Sequence, residues 1–237
     1  MKRLHELYGK LETKKMTLLA ARPGNKKLEF LSDMILYYGL DKDKSITIYL
    51  TEDKYWFHNH LLSHLNEVDS YQLEKYLYPC IYNYGSHDFD RRKFLENIDK
   101  LHGSNITIES LKNVEDTVDY IIEKENSNPS DIAIIYNIED VFTNGYRSPK
   151  EVLDNLKLIK DTTQIVLVSG VNRTAEEKDE YDFNEIHYYR ELEPYIDEVI
   201  LLRMKNSQEY VNTRTIIVST LDSSFEMTYD LETERFE

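Results

Sequence analysis

A chain of 237 residues, 41% hydrophobic and 31% charged, has the composition of a globular protein long enough to bury a substantial core. Its formal net charge of −15 argues against independent binding of DNA or RNA, unless its basic residues gather on one hidden face. A single cysteine, Cys80, excludes an internal disulfide framework and suits a reducing cytoplasm, and no apolar run is long enough for a signal peptide or a membrane span.

Residues 1–15 are too polar for a core segment, although Leu4, Leu7 and Leu11 share the spacing of one docking helix. Met16–Ala21 is a compact apolar run, followed by a helix over Lys27–Gly39 with Gly39 as its stop. Ser45–Thr51 is a β-branched strand and Trp56–Leu65 a helix. Arg91–Leu101 and Val114–Glu125 are further helices on either side of a short Ile106–Ile108 strand. Asp131–Ile138 is a buried strand, Ser148-Pro149 opens a helix reaching about Lys160, and Gln164–Ser169 is another strand. Glu198–Arg203, Thr213–Ser219 and Phe225–Tyr229 close the chain as strands with no long helix between them. Short apolar strands alternating with helices predict an α/β fold, a mostly parallel twisted sheet covered on both faces. The final strands predict antiparallel additions at its C-terminal edge. With no internal repeat or linker, residues 16–237 are expected to form a single domain, with 1–15 as an N-terminal extension or linker helix.

The turn between the first strand and the first long helix, Arg22-Pro23-Gly24-Asn25-Lys26-Lys27-Leu28, has the outline of a phosphate-binding loop. Such a loop needs backbone N–H groups converging on phosphate, a lysine for charge and a Ser/Thr hydroxyl on magnesium. Only the lysine is met here. An ordinary strand-to-helix turn with exposed lysines accounts for this segment equally well, and only the rest of the chain decides between them.

The spaced set AARPGNKKLEF, IYLTED, IAIIYNIEDVF, IVLVSGVNR and TIIVSTLDSSFEMTYDLETERFE resembles the RecA-like ATPase domain of DnaB-type replicative helicases, from about residue 9 to 237. In that family the loop reads A-R-P-S-x-G-K-T. The resemblance puts Lys27 on the phosphate-binding lysine, Lys26 on the glycine before it and Leu28 on the magnesium-binding threonine. A side chain at Lys26 is expected to crowd phosphate, and Leu28 offers no metal ligand. Glu52 falls on the acid that activates the attacking water; a solvated strand-end carboxylate is the plainer alternative. Tyr136 stands where an aspartate should orient magnesium, and Glu139 and Asp140 nearby read as a solvated strand end. At the sensor strand Gly170 replaces a glutamine while Ser169, Asn172 and Arg173 remain. Thr220 and Asp222 stand where the family supplies a lysine and an arginine finger, and an aspartate there opposes charge stabilisation.

The resemblance therefore implies a RecA-like protein without ATP hydrolysis or a metal site, acting by protein contact in a cytoplasmic, replication-related setting. ATP and magnesium stay open as ligands, because Lys27 and Glu52 survive and a partner subunit could complete the site. A homo-oligomer also stays open, since the family forms rings. The family's N-terminal domain is not matched. The segment facing DNA in the family is acidic over 174–193, with Glu176, Glu177, Asp179, Glu180, Asp182 and Glu185 against Lys178 and Arg190. It reads as a solvated loop or as a surface for a basic partner. His58, His60 and His64 read as surface or half-buried histidines rather than a zinc site, and the aromatics of Tyr76–Gly85 as sheet-edge packing rather than base stacking.

Overall fold

The computed structural model describes residues 2–68, 73, 91–143, 147–172, 182–205, 213–231 and 235–236. Cys80, Tyr76–Gly85, Arg173 and the acidic residues from Glu176 to Glu180 lie outside them.

Apolar runs without alternation need cover on both faces, and the sheet supplies it. Six strands run parallel: β1 (Met16–Ala21), β2 (Ile46–Leu50), β3 (Ile106–Ser110), β4 (Ile132–Tyr136), β5 (Gln164–Ser169) and β6 (Glu198–Met204). Three antiparallel strands follow: β7 (Thr213–Ser219), β8 (Ser224–Asp230) and β9 (Arg235–Phe236). The order across the sheet is β3-β2-β4-β5-β1-β6-β7-β8-β9. Every residue of β1, β2 and β4 is buried. Along β1, Leu19 and Ala21 enter one core, while Met16, Leu18 and Ala20 enter the other.

The first core receives α1 (Lys2–Leu11), α2 (Lys27–Leu36), α3 (Lys54–Asn66) and α4 (Arg91–His102). The second receives α5 (Thr117–Ser127), α6 (Ile138–Thr143), α7 (Pro149–Leu156) and α8 (Tyr189–Leu192). Side-chain caps fix several starts: Asp53 accepts from Tyr55 N, Asp116 from Asp119 N, and Ser148 forms a capping box with Glu151. Among the described residues no helix is long and apolar enough to cross a membrane.

The predicted α/β architecture is present, with differences at particular elements. Residues 2–11 do feed the core: Leu4, Leu7, Tyr8 and Leu11 are all buried, because their spacing gathers them into one stripe while the polar residues face water. Replacing Leu4, fully buried, by alanine is expected to cost about 2–4 kcal/mol in urea unfolding. A change under about 0.5 kcal/mol would mean that the helix only rests on the surface.

Gly39 does not stop its helix. The backbone continues as a π-turn over Tyr37–Asp41, where a Cβ on Gly39 would lie 2.6 Å from the Ile106 side chain. The helix expected from Val114 begins at Thr117, after the Asp116 cap, and the one expected to reach Lys160 ends at Leu156, where tighter turns take over. The strand expected to reach Ile138 ends at Tyr136, because Asn137 adopts φ 57° and Ile138 opens α6.

One polar cluster spans the second core. The Glu125 carboxylate, 1% exposed at the end of α5, accepts from Tyr49 Oη at 2.6 Å, Ser130 N at 2.8 Å, Ser130 Oγ at 2.9 Å and Thr163 Oγ1 at 3.3 Å. Burial, and then the hydrogen bond to Glu125, pushes the Tyr49 phenol far above its ordinary value.

Candidate functional site

Parallel strands leave a crevice beyond their carboxyl ends, the usual ligand position in open α/β sheets. Lys27, Asn137, Glu139, Asp140, Gly170, His187 and Tyr188 line it here. The strand-to-helix turn forms one wall. Within it Asn25 N donates to Arg22 O at 3.1 Å, Asn25 is buried, and Pro23 and Gly24 are exposed. Lys26 caps α2 at φ 62° and ψ 29°, a left-handed conformation that favours glycine. Its ammonium is fixed 3.0 Å from Glu29 and 4.4 Å from the centroid of the Tyr229 ring. Leu28 packs against the first core.

Lys27 points into the crevice but is engaged there. Its Nζ donates to Ser169 O at 2.9 Å and lies 5.9 Å from the centroid of the Tyr136 ring. Burial lowers its pKa, while Glu139 and Glu52 act in the opposite sense. Glu52, exposed beyond the end of β2, accepts from Asn137 Nδ2 at 3.2 Å. Glu139 and Asp140 are not a free strand end. Both lie in the first turn of α6, where Glu139 accepts from Ser169 Oγ at 2.7 Å and from Gly170 N. Asp140 accepts from Thr51 Oγ1 at 2.6 Å. At Gly170 a Cβ would sit 3.1 Å from the His187 ring and 3.4 Å from Glu139 Oε1, so the missing side chain leaves room for both.

Tyr136 closes the remaining side. It is 7% exposed, with its ring centroid 5.7 Å from Phe57 and 6.3 Å from Trp56. Burial, helped by Glu52, pushes its phenol up to about 12. Magnesium-bound ATP does not fit these residues. An aromatic ring and a core-packed leucine stand where metal ligation needs oxygen, and the Glu139 carboxylate lies where a phosphate would need neutral or positive donors.

The fold thus brings Lys27, Glu52 and Ser169 to one crevice. Asn172 is turned into the bridge beside it, its N donating to Glu185 O at 2.7 Å. Thr220 and Asp222 lie in the β7–β8 turn at the amino ends of the parallel strands, opposite their own crevice, where Leu221 N reaches Glu198 Oε1. His60 and His64 lie with ring centroids 6.4 Å apart, and His64 Nε2 meets Asp33 Oδ1 at 2.9 Å. Burial lowers the His60 pKa to about 4. Among the described residues no group of three His, Cys, Asp or Glu side chains is placed to hold a metal ion.

Glu139, Asp140 and His187 were missed from sequence as site residues. The acidic pair in the first turn of a short helix was a usable signal for the first two; nothing local marks His187.

No family model matches the chain, and no curated protein matches it. Among solved structures, one ATPase domain of a DnaB-like replicative helicase superposes with a TM-score of 0.74 at 17% identity, covering 94% of this chain and 84% of that one. A second DnaB-like replicative helicase, described with its interactions with primase, superposes with a TM-score of 0.73 at 18% identity. That match covers 96% of this chain and 61% of the other, so this chain spans about three fifths of that helicase's length. The fold is that of a RecA-like ATPase domain of the DnaB-like helicase type.

Proposed function

We propose that this chain is a helicase-related RecA-fold protein that has lost ATP hydrolysis and acts through contact with another protein. The observation that carries this reading is the crevice itself: Lys27 is held by the Ser169 carbonyl, and the adjoining Ser169 hydroxyl and Gly170 N–H are held by Glu139. Tyr136 and Leu28 support it as well, since a buried ring and a core-packed leucine give magnesium no carboxylate or aliphatic hydroxyl oxygen. A contact role accords with the net charge of −15, which suits a basic protein surface better than nucleic acid. It also accords with the DnaB-like helicase above that is described with its interactions with primase. A cytoplasmic, replication-related setting belongs to the same reading.

The test is magnesium-dependent ATP turnover by the wild-type chain beside Lys27→Ala. Both are expected at the rate of the buffer blank. Turnover abolished by Lys27→Ala would overturn the proposal.

One observation favours a second reading, a nucleotide-gated ATPase completed by a partner subunit: Lys27 and Glu52 both remain at the crevice. Saturable ATP binding in calorimetry would favour it, and no binding at millimolar ATP removes it.

A further inference from the structure

Glu139 reaches from the first turn of α6 to the carboxyl end of β5. Its Oε1 accepts from two donors at once, the Ser169 hydroxyl at 2.7 Å and the Gly170 N–H. The Lys27 ammonium is bound 2.9 Å from the carbonyl of the same Ser169. A hydroxyl and an amide N–H on one anionic oxygen, with an ammonium beside them, is a donor set that suits a phosphate oxygen. These donors stand on rigid parts: Ser169 is fully buried in β5, which pairs with β1 on one side and β4 on the other. At Gly170 a Cβ would lie 3.4 Å from Glu139 Oε1 and 3.1 Å from the His187 ring, so the glycine leaves the carboxylate its place.

We infer that Ser169, Gly170 and Lys27 form an oxyanion site that Glu139 occupies in cis, closing the crevice to phosphate. This rests on the reading of the crevice as one that no longer turns over ATP, and it names the residue that keeps phosphate out. The ligand class is a tetrahedral oxyanion, whether free phosphate or the terminal phosphate of a nucleotide. Removing the Glu139 carboxylate leaves two strong donors and a positive charge without an acceptor, and an external oxyanion restores it.

Calorimetric titration with inorganic phosphate tests this on wild type, Glu139→Ala, and Glu139→Ala combined with Lys27→Ala. Glu139→Ala is expected to bind phosphate saturably, at least about tenfold more tightly than wild type, and the double variant to lose that binding. Glu139→Gln keeps an oxygen acceptor in place and is expected to stay closed. A folded Glu139→Ala that binds no phosphate, or a wild type that binds equally well, overturns the inference. ATP forms a separate arm: phosphate binding with or without ATP binding supports the site, whereas ATP binding alone puts the affinity elsewhere and overturns it. If Glu139→Ala does not fold, Glu139→Ser replaces it. The wild-type Gly170 amide resonance decides in either case, because a saturable shift with phosphate shows an open site and overturns the inference. Lys27-dependent ATP turnover by wild type would remove the loss of hydrolysis and is measured apart from every phosphate arm.

Discussion

Replacing Glu125 by alanine is expected to lower the free energy of unfolding by about 3–5 kcal/mol. The carboxylate gathers four donors from Tyr49, Ser130 and Thr163, and so ties β2, the end of α5, the approach to β4 and the turn before β5 to one point. Alanine leaves the Tyr49 hydroxyl and the Ser130 N–H buried without an acceptor and opens a cavity beside them. Each unsatisfied group costs about 1–3 kcal/mol, so the sum is a large share of a stability of about 5–15 kcal/mol. Glu125→Gln keeps the volume but offers one acceptor oxygen and an NH₂ that faces other donors, and it is expected to fall between alanine and wild type. Urea unfolding of the three proteins measures this directly. A loss below about 1 kcal/mol for alanine would mean that the donors find other partners.

Tyr136→Asp is the second large effect, expected to cost about 4 kcal/mol or more and to restore no ATP turnover. In the helicase family that the sequence resembles, an aspartate stands at this position. Here the ring is 7% exposed and packs on Phe57 and Trp56 under Lys27. An aspartate would leave a ring-sized cavity and put a carboxylate against an aromatic wall that cannot solvate it. Thermal unfolding with an ATPase assay on the same preparation checks both halves. A stable variant with magnesium-dependent turnover would show that this position alone had silenced the site.

These costs explain which parts of the molecule were legible in sequence. MTLLAA, ITIYL, IAIIY and QIVLVS announce a parallel sheet because each is apolar without alternation, a pattern that depends on no distant residue. Lys27 and Glu52 could be assigned to the strand ends for the same local reason, since each lies where a strand gives way to a helix. What local pattern could not carry was the pairing between segments. Glu139 meets Ser169 across 30 positions and Asp140 meets Thr51 across 89, so both looked solvated until the sheet brought them together. The end of β4 was set by one left-handed residue, Asn137, inside an apolar run that continued past it. Gly39 resembled a helix stop, but it is small because Ile106, distant in sequence, lies over it. In α1, mean polarity hid a four-residue apolar stripe that only its helical period reveals.

The packing of Trp56 has an optical consequence. The chain carries one tryptophan, and its indole stands 43% exposed beside Tyr136, His60 and Phe57 at the rim of the crevice. All indole emission from this protein therefore originates at one address, so its colour and intensity carry no average over distant regions. Burial keeps the neighbouring imidazole neutral down to a pH of about 4, which removes the commonest protonation-linked quencher from the physiological range. The protein thus comes with its own dye, attached beside the place where a partner or an anion would be felt.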